Sequence, residues 1–272
     1  CMRGGPKGRA RWRGTADPCR RNAPTAVMRG CAHAGRPAPP KVPPMVSLPF
    51  QRCARALGRQ LFPSRCQICG DRGALDREVC VACSLALAWH TDACPRCAAP
   101  LPEEADDLCF DCQEAPPPLQ ACWASLRYEG ALPMLLRRFK FHEDLPAGRL
   151  CAQLMQASPP PWDVPVLCAV PLHAQRLRRR GYNQAGELVR LLGAPRWDGL
   201  RRIRATAPQS ERNAADRRRN LADAFAVVGR VPPAVILVDD VMTTGSTLAA
   251  AAEALHAAGC REVRAWVCAR VP

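Results

Sequence analysis

Two adjacent carboxylates, Asp239 and Asp240, follow a run of four apolar residues, 235–238. An apolar run rich in β-branched residues is typical of a strand that is buried on both faces of a parallel sheet. We therefore expect the two carboxylates at the point where that strand ends. Ionised carboxylates accept hydrogen bonds and suit a ligand with neighbouring hydroxyl groups. The pair predicts a site for a sugar.

A short turn rich in hydroxyl groups separates the carboxylates from 248–258, an alanine-rich stretch with strong helix propensity. The turn consists of Thr243, Thr244, Gly245, Ser246 and Thr247. The free N–H groups of a first helical turn and the helix dipole favour phosphate, and hydroxyls add further donors. The carboxylates and this turn together predict a sugar phosphate, and an ordinary capped βα turn is the alternative. The Gly-x-x-x-x-Gly-Lys-Ser/Thr pattern is absent, which excludes a Walker A loop.

Four Cys-x-x-Cys pairs precede this region. They are Cys66/Cys69, Cys80/Cys83, Cys94/Cys97 and Cys109/Cys112. A two-residue spacer brings both thiolates of a pair to one metal ion, and two pairs complete a tetrahedral site. We predict two successive zinc ribbons with one structural Zn²⁺ each, paired in sequence order, with crossed pairing as the alternative. Because four protein ligands close each site, the zinc should stabilise the fold and take no part in catalysis.

The chain has 272 residues and a formal net charge of +15, which is unevenly distributed. Residues 1–44 contain ten Lys or Arg and one acid, Asp17, and are rich in Gly and Pro. This composition predicts a disordered basic tail. Three interpretations remain open for the tail: a nucleic-acid-binding arm, an expression remnant, or an upstream extension of the reading frame. We favour the last, with Met45 as the natural start.

The sequence contains neither a run of eighteen apolar residues nor a recognisable signal peptide. We therefore expect a cytoplasmic protein that does not insert into a membrane. Residues 45–65 mix large apolar residues with arginines, which predicts an amphipathic helix that docks on the neighbouring domain. Contact with a membrane surface or with nucleic acid is the alternative for this helix. Three prolines at 116–118 separate the double zinc ribbon, 66–115, from a second domain, 119–272.

Strand and helix signals alternate in the second domain. Predicted strands span 123–128, 166–170, 235–238 and 263–269, and predicted helices span 132–141, 183–192, 214–224 and 248–258. This alternation predicts an α/β domain with a mostly parallel sheet and with ligands at the carboxyl edge of its strands. We also expect the domain to stay folded when a zinc ribbon is disrupted.

Two basic stretches belong to the same predicted edge of the sheet. The first contains Leu172, His173 and Arg176, and the second spans 204–220 around Pro208. Arginine side chains bind phosphate through two parallel hydrogen bonds. The first stretch is therefore a candidate site for a second anion, and the second for a mobile loop. A solvated helix face is the alternative for the arginines, and a structural role is the alternative for His173.

The combination of motifs resembles the ComF/GntX family of bacterial proteins. The motifs are the cysteine pairs, Arg-Gly-Tyr-Asn-Gln at 180–184, Arg-Ala-Thr-x-x-Gln at 204–209, Arg-Arg-x-Asn-Leu at 217–221, and 235–247. The last resembles the phosphoribosyl-pyrophosphate (PRPP) signature of type I phosphoribosyltransferases. The resemblance implies a double zinc ribbon followed by a type I phosphoribosyltransferase domain, and a role in competence and use of external DNA.

The resemblance also implies roles for individual residues. Asp239 and Asp240 would bind the ribose hydroxyls and stabilise charge at ribose C1 during catalysis, and Thr243 to Thr247 would hold the 5′-phosphate. Leu172 to Arg176 would form the pyrophosphate loop, and 206–219 would include a flexible hood. Mg²⁺ would accompany PRPP, because this ion usually binds through substrate phosphates and few carboxylates.

Three functions stay open at this point. The protein is a phosphoribosyltransferase that releases pyrophosphate from PRPP, a PRPP sensor without turnover, or a module that binds single-stranded nucleic acid. The implied partners are PRPP, single-stranded DNA and proteins of the competence machinery such as a DNA helicase. The acceptor of a transferred phosphoribosyl group does not follow from the sequence.

Overall fold

The computed structural model describes residues 64–74, 77–102, 108–204 and 223–272. These residues belong to one compact unit. Several sequence predictions lie outside them: the tail 1–44, the helix 45–65 except its last two residues, the loop 206–219, and the helix 214–224 except its last two residues.

The helices of the described residues are α1 (Val81–Leu85), α2 (Phe110–Glu114), α3 (Leu132–Phe141), α4 (Leu145–Ala157), α5 (Ala174–Arg180), α6 (Gln184–Leu192) and α7 (Ser246–Ala257). The strands are β1 (Ala121–Arg127), β2 (Leu167–Ala169), β3 (Leu200–Arg202), β4 (Phe225–Val227), β5 (Ala234–Met242) and β6 (Glu262–Arg270). A parallel sheet has the strand order β1-β6-β5-β2, and β3 pairs with β4 in an antiparallel ribbon. The predicted α/β fold with a mostly parallel sheet is confirmed. Among the described residues, none of the helices combines the length and the hydropathy that crossing a bilayer requires.

Strand β5 is longer than its apolar run. The sequence predicted an end at Val238, but the strand continues to Met242, and this prediction is wrong. The reason lies in the neighbouring strand, because β6 runs in register beside β5 until Arg270 pairs with Met242. The two carboxylates therefore lie within a strand near its carboxyl end, where the ladder fixes their main chain.

Helix α4 was not predicted. Its start is stabilised by Asp144, whose Oδ1 accepts a hydrogen bond from the Ala147 N–H at 3.0 Å. Gly148 lies in its second turn, where a β-carbon would come within 2.2 Å of the Phe139 ring. Glycine has a low intrinsic helix propensity. Here its missing side chain allows α4 to approach α3 closely. The contact that stabilises this helix therefore comes from another element.

The sheet divides the core into two parts, and each zinc ribbon contributes to one of them. Helices α3, α4 and α6 cover one face together with Cys66, Val79 and Leu87 of the first ribbon. Helix α7 covers the other face, where Ala98 of the second ribbon joins the core. The ribbon region and the α/β region therefore share their buried surfaces.

Polar contacts also join the first ribbon to the helices. The Arg138 guanidinium of α3 donates to the Gln67 main-chain carbonyl at 2.8 Å and to its side-chain carbonyl at 3.0 Å. The Glu78 carboxylate pairs with Arg149 of α4 at 3.1 Å. These contacts fix the first ribbon against α3 and α4.

The second ribbon makes corresponding contacts with the sheet. The N–H of Cys122 in β1 donates to the Pro95 carbonyl at 2.8 Å, and Arg270 Nε donates to the Cys97 carbonyl at 3.2 Å. The edge strand β1 and its neighbour β6 are thereby tied to the second ribbon.

Chain segments cover both edges of the parallel sheet. On the outer side of β1, Trp89 bridges Leu126 in antiparallel fashion, and the N–H of Arg127 donates to the Ala88 carbonyl at 2.8 Å. On the outer side of β2, residues 195–197 exchange main-chain hydrogen bonds with Leu167, both at 2.8 Å. Covered edges cannot pair with strands of other chains. The cover of β1 lies between the two zinc ribbons.

Candidate functional site

The carboxylates Asp239 and Asp240 lie near the carboxyl end of β5. Asp240 is buried, with 6% of its surface exposed, and its Oδ1 lies 3.0 Å from the ammonium group of Lys140 in the last turn of α3. The Asp240 N–H donates to Asp239 Oδ1 at 2.9 Å. One carboxylate therefore faces a buried cation, and the other is held by the main chain of its neighbour.

The two carboxylates of the pair have different electrostatic surroundings. Burial and the charge of Asp240 raise the pKa of Asp239 to about 7, against the opposing effect of Lys140. Burial alone would lower the pKa of Lys140, but the charges of Asp240 and Asp239 outweigh it and raise that pKa. Lys140 is therefore cationic at neutral pH, while Asp239 gains and loses its proton in that range.

The hydroxyl-rich turn follows β5 directly. Thr243 and Thr244 are exposed, and α7 begins at Ser246. Gly245 has a φ of +75°, and a β-carbon there would come within 2.5 Å of the Met242 methyl group. The hydroxyls of Thr244 and Ser246 lie 2.8 Å apart. Main-chain N–H groups and hydroxyls therefore meet at the start of a helix twelve residues long, as an anion cradle requires.

The first basic stretch lies beside the same strand. Val170 lies two residues before Leu172, and its N–H donates to the Val238 carbonyl at 3.0 Å. His173 caps α5, because its Nδ1 accepts from the Gln175 N–H at 3.3 Å. This contact gives the imidazole a role at the start of the helix, and its binding role stays a prediction. Leu172 is partly exposed. The expected loop of residues 172–176 is a loop only in its first two residues, because 174–176 form the first turn of α5.

Arg176 and Arg202 form the basic side of the site. Burial and the charges of Arg180 and Arg179 lower the pKa of Arg176. Burial and the charge of Arg176 lower the pKa of Arg202, while Asp239 opposes this effect. The charges of Arg176 and Asp239 thus act on the Arg202 guanidinium in opposite directions. Guanidinium groups at this end of the sheet can form parallel hydrogen bonds with phosphate.

Lys140 and Arg202 were not identified as site residues from the sequence. Lys140 carried a usable signal, because it follows Leu136 by four residues and so falls on the buried face of α3. Arg202 carried none, since it comes from the short strand β3, and β3 was not predicted. The structure brings together Asp239, Asp240, the hydroxyl-rich turn and the Leu172–Arg176 loop. It adds these two cations to them.

The cysteines form two separate clusters. In each, the four Sγ atoms lie within 4.8 Å of one another: Cys66, Cys69, Cys80 and Cys83 in the first, and Cys94, Cys97, Cys109 and Cys112 in the second. A tetrahedral zinc ion with Zn–S bonds of about 2.3 Å places its sulfurs about 3.8 Å apart. The observed separations of 3.6 Å for Cys69–Cys80 and 3.5 Å for Cys97–Cys109 fit such an ion. The predicted pairing in sequence order is confirmed.

Main-chain hydrogen bonds favour the thiolate form that zinc requires. Burial raises the pKa of Cys66, but hydrogen bonds from the N–H groups of Cys69, Cys80 and Ile68 outweigh it and lower the pKa to about 6. The pKa of Cys94 falls to about 7, because bonds from Cys109, Arg96 and Cys97 similarly outweigh its burial. Other members of the clusters differ, since burial and neighbouring thiols raise the pKa of Cys97 to about 11. It is therefore the grouping of four Sγ atoms in each cluster that suits a closed, structural zinc site, in which residues other than the cysteines have no ligand role.

Comparison with known protein families gives two matches on this chain. Residues 57–113 match the double zinc ribbon domain, and residues 178–272 match the phosphoribosyl transferase domain. The first match contains all eight clustered cysteines, and the second contains Arg202, the acidic pair and the hydroxyl-rich turn. Leu172, His173 and Arg176 precede the second match.

Several curated proteins are similar over most of their length. The DNA utilization protein YhgH of Salmonella typhimurium is 33% identical over 223 residues, which cover 76% of this chain and 97% of the relative. Competence protein F of Haemophilus influenzae is 31% identical over 230 residues, covering 77% and 98%. Competence protein ComFC of Streptococcus pneumoniae is 26% identical over 184 residues, covering 64% and 78%.

Proposed function

The chain belongs to the ComF family, in which a double zinc ribbon precedes a phosphoribosyltransferase domain, and on that premise we propose that it binds PRPP with Mg²⁺ and acts in DNA uptake and utilisation. The names of its relatives support the biological role. The proposal places the protein in the cytoplasm, together with competence proteins such as a DNA helicase.

One observation carries the ligand assignment: the acidic pair is followed directly by a helix start that favours anions. The first basic stretch lies beside the same strand, because the Val170 N–H donates to the Val238 carbonyl, and the charge of Asp239 acts on Arg202. PRPP has the matching pattern, since its ribose diol lies between a 5′-phosphate and a pyrophosphate. We assign the diol to Asp239 and Asp240, the 5′-phosphate to Thr243–Thr247, and the pyrophosphate to the arginines and the Leu172–Arg176 loop.

The same groups would support phosphoribosyl transfer. When the bond between ribose C1 and the pyrophosphate oxygen breaks, positive charge develops on the sugar and negative charge on the leaving group. The carboxylate of Asp239 would stabilise the first, and the guanidinium groups of Arg176 and Arg202 the second. Mg²⁺ would neutralise further charge on the pyrophosphate when it is bound. A sensor of PRPP would need the same contacts without the bond cleavage.

The first experiment measures the thermal stability of the zinc-loaded protein with PRPP and Mg²⁺. A ligand that binds only the folded state raises the melting temperature, and we expect such a rise in the wild type and none in Asp239→Asn. Inorganic pyrophosphate alone serves as the control for simple anion binding. A melting temperature that PRPP leaves unchanged would refute the proposal.

A second experiment separates the transferase from the sensor. Pyrophosphate release is measured while nucleobases and amines are offered as acceptors. Release that depends on both an acceptor and Asp239 identifies a phosphoribosyltransferase. A PRPP-dependent rise in melting temperature, without release for any acceptor offered, supports the sensor.

Binding of single-stranded DNA is a second candidate, and an exposed aromatic side chain favours it. Phe141 is 59% exposed at the end of α3, and the Arg180 guanidinium lies 5.1 Å from its ring centre. Arg178 and Arg179 are exposed on the same short helix as Arg180. Aromatic faces that stack on bases, next to arginines that contact phosphates, are typical of single-strand binding sites.

This candidate is tested by fluorescence anisotropy with a labelled oligonucleotide over a range of salt concentrations. Arg178→Gln with Arg179→Gln should weaken binding and reduce the log–log salt slope by about 0.7 per lost contact. Arg230→Gln with Arg261→Gln is the matched control, because these exposed arginines precede β5 and β6 at the opposite edge of the sheet. Equal losses in both double variants would attribute binding to overall charge, to which residues 1–44 also contribute.

A further inference from the structure

The acidic pair has the composition of a divalent-cation site. Two neighbouring carboxylates in a buried position repel each other, and hard cations such as Mg²⁺ and Mn²⁺ bind carboxylate oxygens. An acidic pair of this kind would bind such a cation whether or not a sugar were present. The ion pair with Lys140 changes this expectation, because its ammonium group lies 3.0 Å from Asp240 Oδ1.

The position of Lys140 is fixed by the helix that carries it. The inward residues of α3, Leu132, Leu135, Leu136 and Phe139, are fully buried. The last turn of the helix is also held from outside, since the Tyr182 hydroxyl donates to the Phe139 carbonyl. The Lys140 side chain is only 21% exposed, and that of Asp240 only 9%. The ammonium group therefore stays at the carboxylate as a built-in cation.

We propose that Lys140 is a positioning residue that prevents divalent cations from binding the acidic pair in the absence of PRPP and keeps the pair available for ribose hydroxyls. The inference rests on the proposed PRPP site. A carboxylate has about four lone-pair directions, so an oxygen that faces Lys140 leaves others for neutral hydroxyl donors. A divalent cation binds less tightly there, because it would lie beside the positive charge of Lys140, whose position is fixed.

Arg202 contributes to the same effect at the other carboxylate. Its charge acts on Asp239 in the direction that opposes protonation. Lys140 of α3 thus pairs directly with Asp240, and the charge of Arg202 in β3 adds to the positive potential at Asp239. Under this arrangement the acidic pair alone would not hold Mg²⁺, and an ion in the site would depend on oxygens of the pyrophosphate.

The test uses Mn²⁺ as the probe and electron paramagnetic resonance to measure bound ion in the full-length, zinc-loaded protein without PRPP. We expect wild type and Asp239→Asn to bind Mn²⁺ equally weakly, since the pair contributes nothing. Lys140→Met should bind one additional Mn²⁺ per chain at least tenfold more tightly. Lys140→Met with Asp239→Asn should lose that ion, and Lys140→Arg should behave as wild type.

Two results would overturn the inference: wild-type Mn²⁺ binding that Asp239→Asn abolishes, or a folded Lys140→Met protein that binds no more Mn²⁺ than wild type. Removing one partner of a buried ion pair destabilises a protein, so Lys140→Gln, which keeps a hydrogen-bond donor, is a second variant. The wild-type comparison needs no change at Lys140 and can overturn the inference even if both variants unfold. Because PRPP is left out, failure here is distinct from the absence of a PRPP-induced rise in melting temperature, which would refute the proposed function.

Discussion

Asp239 and Asp240 are adjacent in the chain, yet their carboxylates have different surroundings. Asp240 forms an ion pair with Lys140, whereas burial and the charge of Asp240 place the pKa of Asp239 at about 7. Two identical residue types therefore have different electrostatic surroundings. At this scale, side chains from other elements determine the chemistry, and local sequence alone does not show them.

The raised pKa of Asp239 predicts a pH dependence of ligand binding. Its carboxylate accepts hydrogen bonds from ribose hydroxyls best when it is ionised, so PRPP affinity should fall as the pH drops from 8 to 6. Titration calorimetry at both pH values measures the fall. A phosphorus NMR titration of free PRPP over the same pH range shows how much of the fall belongs to protonation of the ligand itself.

The same pKa predicts a pH dependence of stability. Between the ordinary value of 3.8 and about 7, the folded protein binds this proton more strongly than the unfolded chain does. Stability should therefore decrease as the pH rises through that window. Asp239→Asn removes this loss, so its gain in unfolding free energy over wild type should be larger at pH 8 than at pH 5. Urea unfolding at the two pH values measures it, and an equal difference at both would contradict the assignment.

Replacing Asp240 should reduce stability, whereas replacing Asp239 should increase it, because the Asp240 carboxylate forms an ion pair with Lys140. Asp240→Asn leaves the ammonium group of Lys140 buried without its counter-charge, and we expect a loss of about 3 kcal/mol in unfolding free energy. Asp240→Asn with Lys140→Met removes both charges and should recover much of that loss. If the double variant is no more stable than the single one, the ion pair is not the source of the effect.

At the scale of elements, the start of α7 depends on one glycine. Gly245→Ala would place a β-carbon at a φ of +75° and within 2.5 Å of the Met242 methyl group. We expect a loss of about 1–3 kcal/mol in stability and a smaller PRPP-induced rise in melting temperature. Gly259→Ala at the far end of the same helix is the control, because its φ is +96° but the added β-carbon would meet nothing within 4 Å. It should cost stability without changing the response to PRPP.

The elements with strong local signals were predictable from the sequence. The leucine spacing of α3 gave its bounds, and β-branched residues placed the start of the apolar run in β5. Helix α4 was missed because Pro146 and Gly148 weaken a local helix signal, whereas its contact with Phe139 is non-local. Asp239, Asp240 and the hydroxyl-rich turn were found because they are consecutive. Lys140 and Arg202 were missed because folding brings them to the site from distant elements.

At the scale of the whole molecule, the zinc ribbons and the sheet depend on each other. From the sequence we expected the α/β domain to stay folded when a ribbon is disrupted. The shared core, the Arg138–Gln67 bonds and the cover on β1 argue against that independence. A loss of zinc should therefore weaken the sheet as well as the ribbon.

This coupling predicts one cooperative unfolding transition for ribbons and sheet. Elemental analysis should find about two zinc ions per chain. Cys66→Ser should lower the melting temperature of the entire protein and also reduce PRPP binding, because the first ribbon contacts α3, the helix that carries Lys140. Calorimetry measures the transition, and Cys260→Ser, outside both clusters, is the control. A second transition at the wild-type temperature in Cys66→Ser would show that the sheet folds independently.

The segment that covers β1 should make the solubility of this protein depend on zinc. Trp89 lies between the two cysteine clusters, so loss of metal from the ribbons should uncover the edge of β1. An uncovered edge strand pairs with strands of other chains and leads to aggregation. During zinc starvation, newly made copies should therefore accumulate as insoluble material instead of as inactive soluble protein. Growth with and without a zinc chelator, followed by fractionation, would show this, and the amount of usable protein would follow zinc availability without any dedicated regulator.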